Sequence, residues 1–167
     1  MKIAVIGGGA SGLMAAIAAA RNGAQVTVYE KMNRVGKKIL ATGNGRCNYT
    51  NMNLSKACYH SNDLHLTDEV MNFFDLEKTL SFFEDLGIFP YVDENGRVYP
   101  NSLQASSLLD VLRYELKRLK VDEVTDFNVT ALRKNKGIFS IIGNDTVTAD
   151  RVILATGGKA SPQFGSD

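Results

Sequence analysis

The chain has 167 residues, a length that suits one domain and allows a sizeable hydrophobic core. Its 19 basic and 18 acidic residues nearly balance, so the overall charge indicates neither a nucleic-acid partner nor an acidic membrane surface. Two cysteines without a Cys-x-x-Cys pair and only two histidines predict no metal site and reduced thiols, as in a cytoplasmic protein.

The first predicted elements are a strand at residues 2–6, a glycine-rich turn and an alanine-rich helix at residues 10–22. The turn reads GGGASG over residues 7–12, which is the G-x-G-x-x-G pattern. The same stretch imitates a secretory signal, but glycines interrupt its apolar core, and cleavage would destroy the strand–turn–helix pattern.

Each part of this turn has its own physical role in binding a dinucleotide. Gly7 allows a tight turn, Gly9 lets a pyrophosphate approach the backbone, and Gly12 lets the helix lie close to the sheet. The helix begins at Ala10 and Ser11, and the partial positive charge of its N-terminus favours phosphate groups.

A second predicted strand, residues 25–29, is followed at once by Glu30. A carboxylate at this distance from the glycines can accept hydrogen bonds from an adenosine ribose, and its charge disfavours a 2′-phosphate. A glycine turn that only joins a buried strand to a buried helix explains one or two glycines. It does not explain the pattern together with Glu30, so the sequence predicts a dinucleotide site.

Residues 31–62 show little periodicity and form a basic loop. The loop has no acidic residue and six basic ones: Lys31, Arg34, Lys37, Lys38, Arg46 and Lys56. It begins where the second strand ends, and ligands of doubly wound sheets gather beyond the carboxyl ends of the strands. We therefore expect it to contact phosphate oxygens or a flavin edge. An ordinary solvated loop is the alternative, and nucleic-acid binding is a weaker one because no aromatic stacking platform accompanies the charges.

The middle of the chain predicts a small helical excursion and a hairpin. Two short helices are expected at residues 63–74 and 76–86, and an extended hairpin at residues 90–100. Ser102 is expected to cap a longer helix that reaches Leu119 and carries leucines on one face.

The last part of the chain predicts strands. Residues 124–132 are predicted as one strand and residues 138–142 as its return, so a β-meander is expected. Residues 151–155 (RVILA) are almost entirely apolar and predict a buried parallel strand that ends at Thr156 and Gly157. This second glycine turn would reach the same sheet edge as the first. Two such turns with a meander between them favour a flavin domain over a simple NAD domain, whose crossovers are helices.

Four segments together carry a resemblance to a known family: residues 7–12, 36–51, 96–100 (GRVYP) and 155–158 (ATGG). Together they resemble the BaiN-like family of NAD(P)/FAD-dependent oxidoreductases over the whole chain. The resemblance implies an α/β fold: a Rossmann-like, glutathione-reductase-like FAD-binding domain with a parallel sheet and a β-meander crossover. Family members are longer two-domain chains, so residues 1–167 are expected to be an FAD/NAD(P)-binding domain and an incomplete N-terminal fragment.

The resemblance also implies which residues contact FAD. They are Gly7, Gly9, Ser11 and Gly12 at the pyrophosphate, with Ala10 beside them; Glu30 at the ribose, with Lys31 beside it; Lys38, Thr42, Gly43, Arg46, Cys47 and Asn48 along the path to the flavin; the backbone of Val129, in a strand at residues 127–129, at the adenine; and Thr156 and Gly157 over the cofactor.

Three of these residues have side chains that could do chemistry. Arg46 and Lys38 are candidates for a fixed cation near the pyrimidine edge of the flavin, where it would make reduction easier. Cys47 has no second cysteine nearby in sequence, so a packed or cofactor-contacting role is favoured over a redox-active one.

The sequence thus predicts an FAD-dependent oxidoreductase that acts on a small organic substrate, with NAD(P)H as electron partner. It assigns no catalytic acid or base, no metal and no oligomeric state, and it predicts no nucleic-acid or membrane partner. An NAD-binding dehydrogenase domain and a non-enzymatic nucleotide-binding module, associated with RNA through the basic loop, are the two alternatives.

Overall fold

The computed structural model describes residues 1–60 and 64–158. The chain divides into two compact units. The first unit consists of Met1–Ile39 and the chain from Leu112 onward, and the second consists of Leu40–Val111.

The described residues form the following elements. The helices are α1 (Ala10–Arg21), α2 (Lys37–Ala41), α3 (His65–Phe73), α4 (Leu76–Asp85) and α5 (Ala105–Arg118), with short 3-10 helices at Thr42–Gly45 and Lys56–Cys58. The strands are β1 (Lys2–Ile6), β2 (Gln25–Tyr29), β3 (Thr50–Asn51), β4 (Pro90–Val92), β5 (Arg97–Pro100), β6 (Asp122–Val124), β7 (Ala131–Asn135), β8 (Ile138–Ile142), β9 (Thr146–Ala149) and β10 (Arg151–Leu154).

A parallel sheet in the order β10-β1-β2-β6 is the centre of the first unit. Four of the five residues of β1 are buried, as expected for an apolar strand covered on both faces. Ile6 lies opposite Tyr29 of β2 and Leu154 of β10. The chain therefore leaves all three strands at the same edge of the sheet. The predicted Rossmann-like α/β fold is confirmed.

Helix α1 follows β1 and matches the predicted helix to within one residue. The small or apolar side chains of Leu13, Ala16 and Ile17 in this helix are buried. The helix ends in a Schellman motif, because the amides of Gly23 and Ala24 donate to carbonyls in the last turn and Gly23 has φ +82°.

The three strands β7-β8-β9 form the antiparallel meander that the sequence predicted. They pack on the parallel sheet through one apolar cluster of the first unit. Its buried members are Ala4, Ile6, Phe127, Ile141 and Ala149. The cluster joins β1 to the meander, so the same core supports the strand that enters the glycine turn.

One predicted strand is wrong. Residues 124–132 do not form a single strand: β6 ends at Val124, and β7 begins only at Ala131. The break lies at Asp126, whose φ of +54° is incompatible with a continuous strand. Val129, predicted to lie in a strand, therefore lies in the connection between β6 and β7.

The strand β10 is parallel, as predicted, but it is not buried. Within residues 1–60 and 64–158 it pairs only with β1 and is an edge strand. Leu154 is consequently 67% exposed. The apolar run predicted a buried strand, and the sequence does not show which strands of a sheet lie at its edge.

The second unit contains a small antiparallel sheet in the order β3-β5-β4 and the helices α3 and α4. The hairpin of β4 and β5 confirms the one predicted at residues 90–100. Both predicted short helices are present, although the predicted first residue of α3, residue 63, lies outside the described residues. Ser102 does not cap α5, which begins at Ala105; its hydroxyl instead accepts the amide hydrogen of Gln104.

Candidate dinucleotide-binding site

Three glycines at the start of α1 are required by the packing of the first unit. Gly7 has φ +104°, and a Cβ atom there would overlap the carbonyl oxygen of Ala155. At Gly8 a Cβ atom would lie 2.6 Å from a side-chain carbon of Val35. At Gly12 it would overlap the carbonyl oxygen of Gly7. The structural explanation therefore accounts for these three glycines.

Gly9 is different. Its φ of −79° suits any residue, and a Cβ atom there would meet no heavy atom of residues 1–60 and 64–158 within 4 Å. It is the N-cap residue of α1, where no side chain caps the helix and no acidic residue occupies the first turn. The amides of Ala10 and Ser11 thus start a helix without an intrahelical partner. An open, uncapped helix N-terminus is a favourable place for an anion.

Glu30 lies at the glycine loop. Its Oε2 atom accepts the amide hydrogen of Gly8 at 2.6 Å, and its Oε1 atom accepts that of Met32 at 2.8 Å. A carboxylate has about four lone-pair sites, so two acceptor sites remain after these two bonds. The side chain therefore fixes the loop and keeps the capacity to accept two hydroxyl groups.

The first residues of the basic loop are held against the glycine loop. The amide of Gly36 donates to the carbonyl of Gly8 at 2.7 Å, and Val35 is buried against the same residue. Lys31 and Lys38 are half-buried, whereas Arg34 is exposed. The structure therefore places the start of this loop beside the predicted phosphate site, and the cofactor contacts of Lys31 and Lys38 stay predictions.

The second glycine turn lies against the first. The amide of Ala155 donates to Ile6 at 2.8 Å, which continues the pairing of β10 with β1. The Cα atom of Thr156 is 3.2 Å from the position of a Cβ atom built on Gly7. Thr156 and Gly157 are both exposed. The two turns thus share one edge of the sheet, as expected for parallel strands.

Val129 is the predicted adenine contact, and it lies in the connection between β6 and β7. Its side chain packs on the apolar cluster that includes Phe127 and Ile141. In the part of the chain that the structure describes, neither its amide nor its carbonyl has a hydrogen-bond partner. Such a segment can pair with the edge of a base, so the predicted adenine contact does not depend on the strand.

The other predicted contacts lie together in a loop of the second unit, residues 42–48. Four of its residues have left-handed backbone, with φ between 54° and 81°: Gly43, Asn44, Gly45 and Cys47. The amide of Cys47 donates to Thr42, and the side-chain amide of Asn48 donates to the carbonyls of Thr50 and Val98. The loop is thus folded on itself and fastened to β5.

Burial decides the chemical state of two groups next to this loop. It raises the pKa of the Cys47 thiol, against the opposing effect of a hydrogen bond with Thr42. It also raises the pKa of Tyr49 to about 12, with the charge of Glu84 as a smaller cause. A protonated, buried thiol is unreactive at neutral pH, which supports the prediction that Cys47 is not redox-active.

Sequence analysis did not assign two residues that the geometry brings into these sites. Gly8 donates the hydrogen bond that holds Glu30, and its signal was the middle glycine of the GGG run, at the x position of G-x-G-x-x-G. Tyr99, which the sequence placed only in the predicted hairpin at residues 90–100, lies beneath Arg46, whose guanidinium carbon is 4.6 Å from the ring centroid.

Within residues 1–60 and 64–158, no helix is long and apolar enough to cross a membrane. In the same described residues, no group of three or more His, Cys, Asp or Glu side chains is placed to hold a metal ion.

Comparison with known proteins identifies the family. The model of the HI0933-like protein Rossmann domain matches residues 1–167. The chain belongs to this family. A 3-dehydro-bile acid delta(4,6)-reductase of Clostridium scindens is 48% identical over 99% of the chain, and a ribosomal RNA dihydrouridine synthase of Haemophilus influenzae is 28% identical over 97%. The chain spans 41% of the length of each of these relatives.

A solved structure of low sequence identity has a similar fold. The open conformation of a flavocytochrome c3 fumarate reductase matches 95% of the chain, and 34% of its own chain, with a TM-score of 0.64 and 19% identity. At this identity the similarity bears on the fold alone.

Proposed function

We propose that the chain binds FAD and is the FAD-binding portion of an oxidoreductase. The observation that carries the proposal is Gly9, the one glycine among Gly7, Gly8, Gly9 and Gly12 that packing does not require. A residue without Cβ beside an uncapped helix N-terminus leaves room for a pyrophosphate. Membership in the Rossmann domain family supports the same ligand class.

The neighbouring groups of the first unit fit the rest of an adenine dinucleotide. Glu30 has acceptor capacity left for ribose hydroxyls, and its negative charge opposes a 2′-phosphate. Among the residues that the structure describes, the amide and carbonyl of Val129 have no partner, so they can pair with the adenine edge. These features favour FAD or NAD over a cofactor with a 2′-phosphate. The choice of FAD rests on the β-meander crossover and on the flavin-family motifs.

Bound FAD would supply hydride transfer, and the residues of this chain would bind and orient it. We propose a reduction of a small organic molecule with NAD(P)H as electron donor. The relative with 48% identity supports this reaction class, since it is named a bile acid reductase. The relatives named ribosomal RNA dihydrouridine synthases support an RNA substrate less strongly, at 28% and 26% identity.

The chain matches only part of the length of its relatives, and this supports a proposal on domain organisation. With 41% of their length matched, we propose that these residues are the N-terminal FAD-binding domain of a longer two-domain flavoprotein. Mass spectrometry of the natural gene product, isolated from its source cells, tests this directly. A product with the mass of this chain alone would contradict it.

The Gly9→Ala variant tests the binding proposal. We expect the dissociation constant for FAD to rise at least about tenfold, because the new methyl group occupies the space of the pyrophosphate. The unfolding temperature of the FAD-free protein should stay the same, since the methyl group meets no protein atom. Flavin fluorescence quenching and circular dichroism measure the two quantities.

Ala18→Ser is the matched control, because Ala18 is exposed on the same helix. It should change neither quantity. Titration with NAD and with ADP separates the alternatives: tighter binding of NAD than of FAD would favour a dehydrogenase domain. Equal FAD affinity of Gly9→Ala and the wild type would refute the proposed site.

A further inference from the structure

Arg46 and Tyr99 form a contact that is built from several directions. The guanidinium carbon of Arg46 lies 4.6 Å from the centroid of the Tyr99 ring, within the range of a cation–π interaction. Tyr99 is 2% exposed and lies in β5, the middle strand of the small sheet. Its position is therefore fixed by the packing of the second unit, and it offers Arg46 a rigid surface.

The backbone around Arg46 is fixed against the same ring. The Nε atom of Arg46 donates to the carbonyl of Gly43 at 3.2 Å. A Cβ atom on Gly43 would lie 3.3 Å from a ring carbon of Tyr99 and 2.9 Å from the amide nitrogen of Asn48. Gly43 has to be small because the loop lies directly on the tyrosine. Asn48 fastens the loop to the carbonyl of Val98, the residue before Tyr99.

The remaining edge of the guanidinium is formed by its two terminal amino groups. Among residues 1–60 and 64–158, no hydrogen-bond acceptor or carboxylate pairs with the two terminal amino groups of Arg46. The ring of Tyr99 covers one face of the group, and Gly43 occupies its Nε atom. The terminal N–H groups form a planar fork that matches two acceptor atoms of one anion.

We propose that Tyr99 is a positioning residue, which holds Arg46 so that its terminal edge binds a planar, delocalised anion. The anion is a carboxylate or enolate of the substrate, or the negatively charged pyrimidine edge of reduced FAD. The second source rests on the proposed function. All the residues that build the position belong to the second unit.

Left-handed backbone in the loop fits this role. Asn44 and Cys47 have φ of 54° and 58°, a conformation that costs non-glycine residues free energy. Arg46 lies between them in sequence and is placed by this backbone. If Arg46 did not need a fixed position, glycine in place of Asn44 and Cys47 would give the loop a less strained backbone.

The experiment compares three single variants, and the double variant Tyr99→Leu/Arg46→Lys, in the protein with FAD bound. Tyr99→Leu removes the ring, Arg46→Lys keeps the charge but removes the planar fork, and Tyr99→Phe restores the ring without the hydroxyl. The first readout is the dissociation constant of benzoate, a planar carboxylate, followed by flavin absorbance. The second readout is the midpoint potential of the bound flavin.

If the substrate supplies the anion, Tyr99→Leu and Arg46→Lys should each weaken benzoate binding about tenfold. If reduced FAD supplies it, both should weaken the preference for reduced flavin by about tenfold, or about 30 mV for a two-electron couple. The double variant should lose no more than either single one, because the two residues act together. Tyr99→Phe should rescue the loss.

If Tyr99→Leu does not fold, the variants Arg46→Lys and Tyr99→Phe test the proposed anion site. Unchanged benzoate affinity and unchanged potential in Arg46→Lys, with FAD bound, would overturn the inference and leave the proposed function intact. If the wild-type protein binds no FAD, the proposed function fails. Calorimetric titration with benzoate then tests the anion site alone, and no binding to the wild type, or equal binding to Arg46→Lys, would overturn the inference.

Discussion

The loop at residues 7–9 and the loop at residues 42–48 both belong to the predicted cofactor contacts, but they are built in opposite ways. In the first loop, glycine stands where a Cβ atom would collide with protein, and also at Gly9, where it would not. In the second loop, Asn44 and Cys47 keep side chains in left-handed backbone, where glycine is favoured.

The difference reflects which atoms are available to a ligand. The first loop presents bare backbone amides, so the absence of side chains is what allows a close approach. The second loop presents the fork of Arg46, so its backbone is strained in order to fix a side chain. A substitution should therefore affect packing or binding according to the loop and the position in which it is made.

The largest expected effect is that of Gly12→Ala, which tests the packing side of the comparison. Its methyl group would overlap the carbonyl oxygen of Gly7, so helix and turn have to move apart. We expect a loss of about 3 kcal/mol in the free energy of unfolding, measured by urea denaturation of the FAD-free protein. Gly9→Ala is the matched variant that should leave this free energy unchanged. Equal stability of the two variants would contradict the assignment of Gly12 to packing.

The two ends of α1 extend the comparison within one helix. Its N-terminus has no cap, whereas Arg21 in its last turn binds Glu115 of α5, with the two charged atoms 2.7 Å apart. Arg118 binds the same carboxylate at 2.6 Å. Glu115 is only 4% exposed. One end of the helix is therefore fixed by protein charges, and the other is available to a ligand.

Glu115→Gln should lower the free energy of unfolding by about 2 kcal/mol, since it leaves two arginines around a neutral group. Hydrogen bonding to Arg118, and then the interaction with Arg21, hold the pKa of Glu115 at about 2, below its usual 4.5. The stabilisation is therefore complete above pH 4.5 and is lost as the pH falls toward 2. Urea denaturation at pH 7 and pH 3 measures both effects.

Glu123→Gln is the control for this prediction, because Glu123 pairs with Arg113 at 3.6 Å in a longer and more exposed contact than that of Glu115. Its effect should be below about 0.5 kcal/mol. A difference between wild type and Glu115→Gln that is as large at pH 3 as at pH 7 would contradict the role of the charge.

How far the sequence predicts this molecule depends on the distance over which each feature is decided. The turn at residues 7–12 and the position of Glu30 follow from neighbouring residues, and the structure places them at one sheet edge. The break at Asp126 depends on distant backbone, because the amide of Asp126 donates to Met32. No local pattern indicates such a contact.

The Arg46–Tyr99 contact is a second example, now within the candidate site. The two residues lie on separate predicted segments, which the pairing of β3 with β5 brings together. The resemblance assigned Arg46 to the cofactor, but it gave no reason for Tyr99. Register and packing therefore carry the part of the site that sequence periodicity misses.

A smaller effect is expected for Asn48→Ala, which tests how the second loop is fastened. The change removes hydrogen bonds of 2.8 and 3.0 Å to the carbonyls of Thr50 and Val98. We expect a loss of about 1 kcal/mol in the free energy of unfolding, because water can replace a partner at this exposed position. Benzoate affinity should also fall if the loop positions Arg46. Unchanged stability would show that the loop is held without these bonds.

The smallest effect concerns the two thiols and leaves the fold untouched. Cys58 is exposed, and hydrogen bonds with Ser55, first through its backbone and then through its side chain, lower the pKa of its thiol. Burial raises the pKa of Cys47. At pH 7 the thiolate fraction is therefore larger at Cys58, and iodoacetamide should modify it at least about tenfold faster than Cys47. Peptide mass spectrometry over a time course measures both rates.

Raising the pH to 9 should increase the rate at Cys47 by a larger factor than the rate at Cys58, because more of the Cys47 thiol is still protonated at pH 7. Equal rates at pH 7 would mean that Cys47 is accessible and ionised, and its burial would then not count against a redox role.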